Sequence, residues 1–246
     1  MDRAVYDAMA ADEDRHWWFI GRRRVLDAVI RRHALPPAPA RILEAGCGSG
    51  GNLAMLSAFG ALEAFELDDQ ARAVAAARGI GEVSAAQLPD LYGIEDSRYH
   101  LIGLFDVLEH LPEDVAALIA LGRKLAPGGK LVISVPALPW LWSAHDVSHH
   151  HQRRYTRGSL KAAAEAAGLK VHHIGGFQTL LFPLAMVQRL ILRITGFGKG
   201  ASGMPSPPIN AMLARIFAAE RHLVGRVPMP FGLSYWAVLS RGEDAT

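Results

Sequence analysis

Residues 42–50 read Ile42-Leu-Glu-Ala-Gly-Cys-Gly-Ser-Gly50, and how this stretch is understood decides the fold. An apolar strand start runs into a glycine loop, and residues 52–59 carry a helical pattern. Such a tight strand-to-helix turn lets ligand atoms approach the backbone and leaves helix amides free to bind them. Gly46, Gly48 and Gly51 also fit the GxGxxG spacing of a dinucleotide turn, so the loop alone leaves its ligand open. Two carboxylates narrow the choice. Glu44 precedes the first glycine by two residues, where an anion can hold an ammonium group and would face a pyrophosphate badly. Glu66 ends the next strand, where a carboxylate can accept both hydroxyls of a ribose.

Working outward, residues 62–67 pattern as a strand, 70–78 as an alanine-rich helix, and 82–85 as a short strand. Residues 101–105 form a buried strand, 115–125 a helix, and 130–135 a β-branched strand after the turn Pro127-Gly128-Gly129. Strands alternating with short helices predict a doubly wound α/β sheet, mostly parallel, with helices on both faces. Beyond it lie a Trp- and His-rich loop over 136–155, a helix over 159–167 and strands at 169–174 and 234–239. Residues 178–231 form an insertion: two amphipathic helices, 180–194 and 209–224, joined by a Gly/Pro/Ser-rich linker over 196–208. Residues 1–36 are expected to form a helical lid, with Val25, Leu26, Val29 and Ile30 on one apolar stripe, and residues 37–246 the main domain.

The chain has 246 residues, half of them hydrophobic, with a net charge of +2 and one cysteine. That charge is too small to argue for nucleic acid, and a single cysteine excludes both a disulfide framework and a cysteine-rich zinc site. No signal-peptide core opens the sequence, and no apolar run is long enough to span a bilayer. A cytoplasmic protein, with a possible peripheral membrane contact through the apolar stretch 179–197, is the expectation; oligomeric state is not legible.

Five motifs in order carry a resemblance over residues 41–135: Glu44-Ala-Gly-Cys-Gly-Ser-Gly50, Glu66-Leu-Asp, Leu88-Pro89, Phe105-Asp-Val-Leu-Glu-His-Leu-Pro112 and Leu125-Ala-Pro-Gly-Gly-Lys-Leu131. The set resembles the class I S-adenosylmethionine (SAM)-dependent methyltransferases, and Leu-Glu-His-Leu-Pro resembles the small-molecule branch that includes ubiquinone-type O-methyltransferases. The resemblance implies a seven-stranded sheet with an antiparallel last strand and SAM as cofactor. Cofactor roles then fall on Glu44, Gly46, Cys47, Gly48, Glu66, Leu67, Gln87, Leu88, Phe105 and Asp106. Where many relatives carry an acid early in the segment before Leu-Pro, this chain has Ser84-Ala85-Ala86, a departure from the family pattern beside Gln87. In His16-Trp-Trp-Phe-Ile-Gly-Arg-Arg-Arg24, Arg22 or Arg23 can pair the cofactor carboxylate, or the aromatics can simply anchor the helix.

Asp106, Glu109 and His110 resemble an E-x-x-E-H string associated with magnesium in ubiquinone-type relatives; they are read instead as shaping the loop, and no metal is assigned. The string from Trp140 to Tyr155 holds His145, Asp146, His149, His150 and His151. A histidine there can act as general base on an acceptor hydroxyl. His145 is favoured because Asp146 adjoins it and the tryptophans can wall the acceptor; His149, His150 and His151 are the alternatives. The expected reaction is methyl transfer to a small molecule, with oxygen on a hydrophobic, lipid-linked or secondary-metabolite acceptor foremost. A nicotinamide-dependent oxidoreductase and a non-catalytic SAM-binding protein are the competing readings.

Overall fold

A computed structural model describes residues 10–195 and 204–242, with residues 190–195 as backbone only. The linker expected over 196–208 therefore lies largely outside the described residues, as does the start of the N-terminal segment.

The glycine loop lies where the sequence puts it, between β1 (Arg41–Ala45) and α2 (Leu53–Ser57), after the long helix α1 (Trp17–His33). Then follow β2 (Ala61–Phe65), α3 (Asp69–Ala77), β3 (Glu82–Ser84), β4 (Tyr99–Phe105), α4 (Asp114–Lys124) and β5 (Leu125–Pro136). The second half adds a short helix α5 (Ala144–Ser148), α6 (Arg157–Ala166), β6 (Leu169–Phe177), α7 (Phe182–Thr195), α8 (Pro207–Ala219) and β7 (Ser234–Arg241). The seven strands pair in the order β3-β2-β1-β4-β5-β7-β6, and β7 is antiparallel to both its neighbours.

Period-2 alternation decides what each strand buries. Leu43 on β1 and Leu131, Ile133 and Val135 on β5 join one core, with Leu118 and Leu121 of α4 and Leu160 of α6. Ile42, Leu101, Phe105, Val132, Trp236 and Val238 face the other way, onto Val25, Leu26, Val29 and Ile30 of α1. All four α1 residues are fully buried. Each such side chain contributes about 1.5–3 kcal/mol relative to leaving it in water.

Two local readings differ. Pro127-Gly128-Gly129 is no interruption: β5 runs through it from Leu125, because Tyr99 of β4 pairs Leu125 before an irregularity restores register at Lys130. The loop over 136–155 contains α5, closed by a capping box in which Ser143 and Asp146 bond reciprocally.

The N-terminal helix α1 packs against α8 of the insertion. Asn210 of α8 accepts from the Trp17 amide at 2.8 Å and donates to Arg15 O at 2.8 Å. A side chain at Gly21 would run into the Phe217 ring, so this glycine sets how closely α1 and α8 approach.

Candidate active site

Strand order reverses between β1 and β4, the place where open α/β sheets leave a crevice at their carboxyl edge. Gly46, Gly48 and Gly50 turn there with φ of +68°, +56° and +86°. A Cβ at Gly46 would meet Val107 at 2.9 Å, whereas at Gly48 it would meet nothing within 4 Å. The backbone is thus packed on one side and open on the other. Glu66 spans this turn: its carboxylate accepts from Gly48 N at 2.8 Å and from Asp68 N at 2.9 Å. Each oxygen retains a lone pair for a further donor.

Glu44 lies beneath the loop, buried. One oxygen accepts from Asn52 Nδ2 at 2.7 Å, and the other is buried without a partner. Burial pushes its carboxyl up to about 7, with the Asn52 hydrogen bond and the Arg22 charge pulling the other way. An orphaned carboxylate oxygen beside an open glycine turn suits an ammonium donor. Cys47 is buried, donates its amide to Phe65 O, and has its thiol pushed far up by burial and by Glu44 and Glu66. Such a thiol is no nucleophile.

Leu67 is 60% exposed at the end of β2, free to cover an adenine ring, while Leu88 is buried and Gln87 exposed. The Phe105 ring belongs to the core rather than to the crevice, stacked over Gly103. Its carbonyl accepts from Arg22 at 3.4 Å. Arg22 Nε also lies 2.9 Å from Asp106 Oδ2, an ion pair without an aligned hydrogen bond, with Trp18 stacked 5.1 Å from the guanidinium. Asp106 holds the unusual φ of +56°, a strain of the kind found at functional sites. Arg23 makes no hydrogen bond or ion pair among the described residues, and burial lowers its pKa. Of the two arginines, Arg22 is engaged by the sheet edge and Arg23 remains available to a ligand carboxylate.

A latch that the sequence reading missed closes the loop from outside. Glu13 ion-pairs with Arg78, whose Nε donates to Ser49 O at 2.7 Å, and a Cβ at Gly51 would strike the Glu13 carboxylate. The acidic run before Trp17 was its only sequence trace.

Past β5, Asp146 is the hub of the second cluster. It is completely buried and accepts from Ser143 N, Ser143 Oγ, Arg154 Nε at 2.6 Å and His151 Nδ1 at 3.0 Å. Burial alone would raise its carboxyl, but the His151 and Arg154 hydrogen bonds and the Arg154 charge hold it below the usual carboxylate range. An ionised partner at Nδ1 fixes the tautomer of His151 and leaves Nε2 with its lone pair. His145 makes no hydrogen bond to this carboxylate among the described residues: successive helical side chains point apart, and its ring lies tilted against His149, centroids 3.8 Å apart. Burial, then the neighbouring imidazoles, push His145 down to about 4. His110 is likewise pushed to about 4 and sits edge-on to His151 at 4.7 Å.

Glu109, His110 and His151 bring one ligand atom each within 4.8 Å of one another, and Glu109 Oε2 is buried without a partner. Burial and the Asp106 charge hold the Glu109 carboxyl well above its ordinary value. The donor set fits a divalent cation. It differs from the string weighed in the sequence, since His151 stands in for Asp106.

The model of a methyltransferase domain family matches residues 17–174. A ubiquinone biosynthesis O-methyltransferase of Xanthomonas oryzae pv. oryzae (strain PXO99A) is 32% identical over 147 residues, covering 52% of this chain and 59% of the relative. That of Xanthomonas axonopodis pv. citri (strain 306) is 28% identical over 69% of this chain and 82% of its own. Among solved structures, a geranyl diphosphate C-methyltransferase from Streptomyces coelicolor A3(2) superposes with a TM-score of 0.60 at 14% identity, over 88% of this chain and 79% of that one. A Haloferax volcanii methyltransferase in complex with the activator Trm112 reaches 0.63 at 17% identity, over 99% of each. The family match, spanning the glycine turn, Glu66 and Asp106, selects the methyl-donor reading of the loop over the dinucleotide one: the chain belongs to the class I SAM-dependent methyltransferases.

Proposed function

We propose that the protein transfers the SAM methyl group to a hydroxyl oxygen of an apolar, lipid-linked acceptor, with His151 as general base. The observation that carries this is the Asp146–His151 pair at the carboxyl edge past β5, held at 3.0 Å by a completely buried carboxylate. Glu66 would hold the ribose, Glu44 the ammonium and Arg23 the carboxylate of the cofactor, and Leu67 would meet the adenine. His151 Nε2 takes the hydroxyl proton as the oxygen attacks the methyl carbon. SAM, when bound, would supply the methyl group and, as its carbon–sulfur bond breaks, a neutral thioether leaving group. Positioning carries most of the acceleration, since SAM brings its own activation.

The oxygen acceptor follows the O-methyltransferase relatives, and the apolar acceptor follows the exposed apolar side chains of α7, which Arg189 ties to Leu141 beside this cluster. A peripheral membrane contact belongs with such an acceptor. A second reading has its own support in the convergence of Glu109, His110 and His151: a divalent cation there would polarise the acceptor oxygen and occupy the same nitrogen.

The test is S-adenosylhomocysteine formation from SAM with a phenol bearing a prenyl tail, run with and without EDTA across pH. Turnover rising with pH and indifferent to EDTA supports the base. Turnover abolished by EDTA and restored by magnesium or zinc moves His151 to the cation reading. SAM binding with methylation of amine acceptors alone would overturn the oxygen assignment.

A further inference from the structure

Large exposed apolar side chains concentrate on the insertion. Leu184 and Val187 of α7 are 55% and 54% exposed, and Ile209, Met212 and Ile216 of α8 are 49%, 52% and 36% exposed. On α8 the spacing i, i+3, i+7 puts the last three on one stripe. The helix's other side carries Phe217 and Ala218, buried against α1. The outward stripe is therefore not a core face left over from packing, because α8 already has its core face. Trp140 and Trp142, 67% and 44% exposed, flank the histidine cluster, and Arg189 of α7 hydrogen-bonds Leu141 between them.

Charge says what covers this face. Residues 178–231 contain six basic residues, Arg189, Arg193, Lys199, Arg215, Arg221 and Arg226, against one acid, a net +5 in a chain whose total is +2. The rest of the molecule is therefore net negative. The one acid, Glu220, is fully buried and spends its carboxylate on the amides of Gln178 and Leu180, so it offsets nothing at the surface. Arg215 and Arg226 are exposed. Among the described residues no helix is long and apolar enough to cross a membrane.

We infer that the exposed face of α7 and α8 docks on an anionic lipid surface, lying in the interface rather than crossing it. Apolar side chains enter the headgroup boundary, and the arginines pair with anionic headgroups. The tryptophans suit the same depth. The charge asymmetry orients the molecule: the basic insertion is attracted and the acidic remainder repelled, which turns the Trp140–His151 region towards the lipid. This deepens the lipid-linked acceptor reading, but the docking needs neither acceptor nor cofactor, so the two can fail separately.

The experiment is flotation of the full chain with vesicles of phosphatidylcholine alone, or mixed with phosphatidylglycerol, at low and high salt. Binding to the mixed vesicles that weakens with salt and is absent on phosphatidylcholine is the expected result. Arg215→Gln with Arg226→Gln lowers the partition coefficient about 5-fold for each charge removed. Met212→Ser with Ile216→Ser lowers it further, while SAM binding by calorimetry, the check that these variants fold, stays unchanged. Equal binding to both vesicle types overturns the anionic surface. No binding, with a dimer in solution that Ile216→Ser dissociates, assigns the face to a second copy of the chain and overturns the proposal.

Discussion

The two sides of the sheet's carboxyl edge are organised by different parts of the chain. On the cofactor side the geometry is backbone: three glycines with positive φ, and a carboxylate held by the amides of Gly48 and Asp68. On the other side, proposed above to meet the acceptor, it is side chain: Asp146 gathers Arg154, His151 and Ser143 on a short helix and loop. A backbone cradle is hard to alter one substitution at a time, whereas a side-chain hub is easily rewritten. One fold can thus keep its cofactor while its acceptor chemistry varies.

If the division is functional, each side has its own kinetic signature. The largest effect is expected at the base. His151→Ala should lower kcat by about 10²–10⁴-fold while leaving SAM affinity within a few fold. Asp146→Asn should fall in the same direction, because an amide no longer fixes the His151 tautomer, and stopped-flow or steady-state assays read both. Next, Glu66→Ala should weaken SAM binding on the order of 10²-fold, at about 1.5–3 kcal/mol for each hydrogen bond to a charged group. Calorimetry measures it, and kcat at saturating SAM should barely move. A His151 variant that lost SAM, or a Glu66 variant that lost only kcat, would break the division. Arg23→Gln sharpens it: a roughly 10-fold loss of SAM affinity is expected for one charged pair, against no loss of protein stability.

The glycine turn and the carboxylate that spans it were nearly all legible in the sequence, and the reason is physical. Glycine turns, the carboxylate at the end of β2 and the strand periods are local, so Gly46, Gly48 and Glu66 could be placed from neighbours in the chain. The acceptor side depends on partners brought together by folding. Adjacency in sequence pointed Asp146 at His145, but adjacent helical positions diverge, and the loop returns to bring His151 and Arg154 to that carboxylate instead. The Glu13–Arg78 latch was invisible for the same reason, since neither residue has a local signal for the other. The motif position of Phe105 says nothing of its packing: alternation along β4 puts its ring among core side chains, and its carbonyl accepts from Arg22.

The smallest expected effect is also the one that tests the cofactor side from within. Burial raises Glu44 to about 7 from an ordinary 4.5, so the cofactor-free protein binds more protons than its unfolded chain between those values. Stability from this group is accordingly lost as pH rises from about 4.5 through about 7. Binding runs the other way. The cationic ammonium of SAM favours the ionised carboxylate, so affinity should rise several-fold between pH 6 and pH 8, with proton release on binding. Glu44→Gln separates the two. Thermal unfolding should show the variant more stable than the parent above about pH 7 when no cofactor is present, because the amide cannot ionise in its buried place. Calorimetry should show weaker SAM binding with the pH dependence flattened. A parent whose SAM affinity is flat across this range would mean that the orphaned Glu44 oxygen does not meet the ammonium, and that the glycine backbone alone holds the methionine end.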